Sequence, residues 1–90
     1  MLTGNVLNQC KQRMLKILAN YSGLEQREQQ LVSDLQLLNP SLTAVDVRQV
    51  LGALKDDGYA ARRVDDLRGP VWKVTAEGNK AAAALALEDE

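Results

Sequence analysis

The side chains best equipped for chemistry in this chain are arginines on a short segment near its C-terminal third. Arg62, Arg63 and Arg68 fall within seven residues, more cation than a short hairpin needs for solubility. With Lys73, and against only Asp65 and Asp66, they make residues 59–75 the most basic part of the chain, at +2. The segment 76–90 is the most acidic, at −3, and the whole chain carries −1. This distribution allows a small positive face, although clustered Lys and Arg usually dominate a surface that binds nucleic acid. Covalent or metal chemistry has little to work with. The chain has no His, no Gly-rich phosphate loop after a strand and no metal-ligand spacing. Cys10 is the lone cysteine, so it forms no internal disulfide, and its place in a helical apolar stripe marks a buried thiol rather than a nucleophile. The sequence therefore argues against an enzyme, and neither cofactor nor metal is expected.

The elements that would position these arginines are legible from capping and periodicity. Thr43 can accept a backbone N–H three residues on, where Asp46 supplies the reciprocal carboxylate, so a helix is predicted over 43–57. Val47, Val50, Leu51 and Leu54 give it one apolar stripe; Ala44, Arg48, Gln49, Gly52, Lys55 and Asp56 form the opposite face. Gly58 suits the left-handed residue just past the helix end. Two short strands follow, 59–64 and 70–74, joined by Asp65-Asp66-Leu67-Arg68-Gly69 as a polar hairpin tip. Thr75 then caps a last helix over 75–87, with Glu77 in its first turn and an alanine-rich body.

Upstream, apolar spacing predicts a first helix over 6–21, carrying Val6 or Leu7, Cys10, Met14, Ile17, Leu18 and Tyr21 on its inner side. Ser22-Gly23 breaks it, and Leu24 is placed as a short third strand against the ribbon. A second helix is predicted over 26–38, burying Leu31, Leu35 and Leu38. Pro40 removes a donor and disfavours helical geometry at Asn39, so this helix ends there. Only residues 39–42 separate it from the next helix, which forces the steep crossing of a helix-turn-helix. The fold class is thus α+β, mostly α: a winged helix-turn-helix with a three-helix core, a two-stranded β wing and a C-terminal helix. Ninety residues make one such domain, residues 1–90, able to bury roughly 60% of its unfolded surface. No apolar run approaches the ~18–20 residues of a membrane span, and Met1-Leu2-Thr3-Gly4-Asn5 does not open a secretory signal, so a cytoplasmic protein with no membrane contact is expected.

On these residues the chain resembles a known family. The run Val47-Arg48-Gln49-Val50-Leu51-Gly52-Ala53-Leu54-Lys55-Asp56-Asp57-Gly58-Tyr59, followed by Trp72-Lys73-Val74-Thr75-Ala76-Glu77-Gly78, is similar to bacterial winged-helix regulators of the PadR, MarR and ArsR kind. Those proteins show Leu-x-x-Leu-x-x-x-Gly at the end of the recognition helix and Leu-Thr-x-x-Gly after the wing. The spacing of Leu31, Leu35, Leu38, Thr43, Asp46 and Val47 also resembles short winged-helix proteins of Mu-like prophages. The resemblance covers about residues 8–85, mostly at core and cap positions.

The resemblance implies a bacterial or phage transcription regulator that places the helix 43–57 in a major groove of duplex DNA, with the ribbon along the backbone or in the adjacent minor groove. Ser41, Thr43 and Ala44 would then lie near phosphate at the helix N-terminus. Arg48 and Gln49 would reach base edges, Lys55 a phosphate, and Arg62, Arg63 and Arg68 phosphate or a minor groove. A homodimer through the first and last helices would present two such helices to half-sites one turn apart. Asp46, Asp56, Asp57, Asp65 and Asp66 depart from a strongly DNA-binding pattern. They leave a second expectation: a winged helix serving as a protein-interaction module, within a phage-derived assembly, that does not bind DNA. Asp46 doubles as a helix cap, and Trp72 and Tyr59 are expected in the core rather than as stacking platforms.

Overall fold

The computed structural model describes residues 2–88; Met1, and Asp89 and Glu90 of the acidic tail, lie outside them. The chain runs α1 (Gly4–Asn20), β1 (Gln26–Arg27), α2 (Glu28–Leu38), α3 (Ala44–Asp56), β2 (Ala60–Asp65), β3 (Gly69–Val74) and α4 (Ala76–Glu88). The three strands form one antiparallel sheet in the order β1-β3-β2.

One core joins all the layers. Cys10, Met14, Leu15 and Leu18 of α1 meet Leu31, Val32 and Leu35 of α2, Val47, Val50, Leu51 and Leu54 of α3, and Trp72 and Val74 of β3. β3 is the central strand and buries Val71, Trp72 and Val74, whereas on β2 only Ala60 is buried, so β2 serves chiefly as a platform facing outward. Placing Trp72 and Cys10 inside agrees with their sequence patterns. Tyr59 is half-buried against the same core.

Local chemistry explains where the elements begin and end. Thr43 Oγ1 accepts the Asp46 N–H at 3.1 Å while Asp46 Oδ2 accepts the Thr43 N–H at 3.1 Å, the reciprocal cap read from the sequence. At the other end of α3, Gly58 at φ +84° allows the Gly58 N–H to reach Lys55 O and the Tyr59 N–H to reach Leu54 O. These two bonds satisfy carbonyls that the helix leaves open and turn the chain into the wing. The wing is closed at its base by Thr75. Its N–H donates to Tyr59 O, its hydroxyl donates to Gly58 O at 2.7 Å, and Oγ1 accepts the Gly78 N–H at 3.0 Å to cap α4.

Several boundaries differ from the sequence reading for identifiable reasons. α1 starts at Gly4, because Thr3 O already accepts the Leu7 N–H; Val6 and, just past the helix end, Tyr21 stay exposed rather than facing inward, while Leu7 packs against the core and Leu15 is buried. Leu24 is not the third strand: its N–H closes a turn onto Tyr21 O, and Gln26 and Arg27 pair instead with Trp72 and Val71. That pairing holds residues 26 and 27 extended, so α2 begins two residues later than expected. Leu38, the last residue of α2, is 58% exposed, and Val32 joins Leu31 and Leu35 in the core instead. The ribbon also extends by a pair, Asp65 with Gly69, which leaves only Asp66, Leu67 and Arg68 at the tip.

Candidate nucleic-acid interface

α3 is fixed at both ends, and its inward stripe is fully buried, so the direction of its outer face is set by the core. That outer face carries Val45, Arg48, Gly52 and Lys55 at helical spacing. Val45 is 70% exposed and the Arg48 side chain 60% exposed, and Gly52 leaves the backbone open, with no atom within 4 Å of the place its Cβ would occupy. Val45 was not singled out in the sequence, although at about 100° per residue it lies roughly opposite the buried Val47. Its exposure at the first turn gives this face an apolar contact of the kind that suits a thymine methyl.

The other sequence-selected residues fall into three situations. Ser41 is exposed at the turn, where its hydroxyl donates to Asn39 Oδ1 at 2.9 Å; Thr43 and Ala44 are the cap and first residue of α3. Asp46 occupies the cap partnership there, so a carboxylate already answers the positive end of the helix. Gln49 is drawn off the outer face altogether. Its Nε2 donates to Leu2 O at 2.8 Å and its Oε1 accepts the Leu2 N–H at 2.9 Å, so both ends of the amide tie the N-terminal segment to α3 and neither is presented to a base edge. Arg62, Arg63 and Arg68 do come together on the wing beside α3, but against carboxylates.

Two of these carboxylates, Glu25 and Glu28, come from a segment that sequence reasoning passed over. Glu25 accepts from Arg63 Nε at 2.8 Å, Arg63 Nη2 at 2.6 Å and Arg68 Nη2 at 3.0 Å. Those hydrogen bonds, Arg63 foremost, hold its carboxyl down to about 2 from an ordinary 4.5. Glu28 opens α2, where an acid suits the helix dipole, and accepts from Trp72 Nε1 at 3.1 Å. It also lies 3.4 Å from Arg48 Nε and 3.9 Å from Arg62 Nε. Asp65 pairs with Arg63 and Arg68 across the wing, and the backbone N–H groups of Arg68 and Leu67 hold its carboxyl far below the usual range. Between α2, α3 and the wing a cleft of about 410 Å³ opens, lined by Arg27, Glu28, Gln29, Val32, Ala44, Arg48, Arg68 and Pro70.

Among the described residues, no group of three or more His, Cys, Asp or Glu side chains is placed to hold a metal ion, and no helix is long and apolar enough to cross a membrane. No family model matches the chain, and no curated protein matches it in sequence. Solved structures do share its architecture. An apo-form mutant of ZitR from Lactococcus lactis superposes with a TM-score of 0.73 at 16% identity, over 92% of this chain and 58% of that one. The MepR–DNA complex of S. aureus gives 0.72 at 22% identity, over 89% of this chain and 66% of that one. A MarR-family transcriptional regulator from Silicibacter pomeroyi gives 0.65 at 26% identity, over 89% of this chain and 51% of that one. The chain thus spans between 51% and 66% of the length of these three chains. Its four helices and three-stranded antiparallel sheet have the winged helix-turn-helix fold of MarR-type transcription regulators.

Proposed function

We propose that this chain is a small DNA-binding protein of the transcription-regulator kind, contacting duplex DNA through α3 and the wing. The observation that carries the reading is the outer face of α3: a helix locked at both ends whose Val45, Arg48, Gly52 and Lys55 are left uncovered beside an arginine-bearing ribbon. A rigid, exposed helix of 13 residues fits a major groove, and Val45 with Arg48 supplies a methyl contact and a guanine-directed fork at its leading end. Arg62, Arg63 and Arg68 then lie where backbone phosphate would pass. MepR, one of the structural neighbours, was solved bound to DNA. A homodimer through α1 and α4 would set two such faces for a two-fold site, and a dimer mass in light scattering at ~100 μM is the expected result; a monomer mass would remove that part of the proposal.

Fluorescence anisotropy of a labelled mixed-sequence duplex tests the reading. Binding is expected at ~50 mM salt and is expected to fall steeply towards ~150 mM. The double variant Arg62→Ala/Arg63→Ala should weaken binding about tenfold across all sequences and flatten the salt slope by about one to two. A second reading draws on the pairing of all four arginines of α3 and the wing with carboxylates, which leaves this face little net positive charge. On that reading the same surface docks another polypeptide. Absence of duplex binding at micromolar protein and ~50 mM salt would favour it, and the next measurement would be partner capture on immobilised protein.

A further inference from the structure

Four arginines of α3 and the wing are held by two glutamates that stand three residues apart in the chain. Glu25 takes Arg63 and Arg68, which Asp65 on the wing itself also approaches at 3.2 and 3.3 Å, and Glu28 takes Arg48 and Arg62. Neither glutamate is a loose surface group. Glu28 is oriented by the indole N–H of buried Trp72 and begins α2, while Glu25 receives the forked Nε and Nη2 donors of Arg63. The arginine side chains remain between 34% and 60% exposed, so a second acceptor can approach each guanidinium from solvent. The cleft lined by Arg27, Arg48 and Arg68 opens at the same place.

Resting on the DNA reading above, we propose that Glu25 and Glu28 are intramolecular stand-ins for backbone phosphate: they preorganise the four arginines in the free protein and are displaced from them by phosphodiester groups when duplex DNA docks. A carboxylate and a phosphate offer a guanidinium the same pair of oxygen acceptors, so the arginines need little rearrangement to change partner. The guanidinium groups are a third to three-fifths exposed, and ion pairs open to solvent on one side contribute little net free energy, so the exchange is cheap. Holding long side chains in place beforehand lowers the entropy lost on binding. Each carboxylate nevertheless stays close to the docked polyanion and opposes it. The two glutamates therefore weaken binding to arbitrary sequence, and a duplex whose bases also satisfy the outer face of α3 offsets that penalty.

The test compares wild type, Glu25→Gln, Glu28→Gln and the double variant on a mixed-sequence duplex at ~50 and ~150 mM salt, with Glu77→Gln on α4 as a control for net charge. Glutamine keeps an oxygen for the Trp72 indole, and circular dichroism and Tm verify that each variant is folded. Each of the two single variants is expected to bind about three- to tenfold tighter at low salt, with a salt slope steeper by about one, while Glu77→Gln stays within about twofold of wild type. Unchanged or weaker binding by the Glu25 and Glu28 variants would overturn the proposal, as would an equal gain from Glu77→Gln. Those outcomes leave the DNA reading standing where wild type binds. Absence of duplex binding by wild type and double variant alike would remove both.

Discussion

Gly78→Ala is expected to destabilise the domain by about 2–3 kcal/mol, although alanine is the better helix former by about 1 kcal/mol. Gly78 lies in the first turn of α4, and a Cβ there would stand 2.2 Å from Tyr59 O and 2.7 Å from Val74 Cγ2. Neither neighbour gives way easily. Tyr59 O accepts the Thr75 N–H, the Gly58 carbonyl beside it is held by the Thr75 hydroxyl, and Val74 is buried in the core. Admitting a methyl would push α4 off the base of the wing or open the bonds that close the hairpin. Thermal unfolding followed by circular dichroism should show Tm lower by about 10–20 °C. Gly52→Ala is the matched control, since nothing lies within 4 Å of its Cβ position, and it should gain about 0.5–1 kcal/mol. A Gly78→Ala Tm within ~3 °C of wild type would mean that α4 does not sit on the wing in this way.

The same glycine illustrates what the sequence made legible. The motif after the wing, Val74-Thr75-Ala76-Glu77-Gly78, pointed to a capped helix, and the Thr75 cap onto the Gly78 N–H forms as the pattern required. The Thr43–Asp46 cap and the Gly58 turn were equally readable, because each is written within a few residues and satisfies backbone groups that any helix must leave open. What stayed hidden depends on long-range pairing. Glu25 meets Arg63 and Arg68 from 38 and 43 residues away, and Gln49 meets Leu2 from 47 residues away. A helical wheel places Gln49 near Arg48 and assigns both to one face, but it does not see the N-terminal segment that occupies the Gln49 amide. Charge counting failed similarly at the wing. It summed Arg62, Arg63, Arg68 and Lys73 against Asp65 and Asp66 and left out the two glutamates that the β1 strand and the start of α2 bring alongside.

Val45→Asp is expected to reduce duplex binding about 100-fold, roughly 2.7 kcal/mol, while leaving stability unchanged or raised by a few tenths of a kcal/mol. The separation follows from the position. Val45 is the second residue of α3 and 70% exposed, so removing its side chain costs the core nothing. A carboxylate there sits in the first helical turn, where the dipole favours it, and lies one turn before Arg48 as a stabilising i,i+3 partner. The features that favour the folded helix oppose docking: the new charge would meet the polyanion at the leading end of α3, take Arg48 away from its base or phosphate, and replace a methyl contact with a group that must be desolvated. Anisotropy titration gives the affinity and urea unfolding gives the stability of the same preparation. If Val45→Asp bound duplex within about threefold of wild type, the start of α3 would lie outside the groove. Duplex contact would then fall to the wing, where Arg62 and Arg63 would have to account for the affinity. A large loss of binding at undiminished stability would instead place the reading surface on α3, because that outcome does not follow from a damaged scaffold.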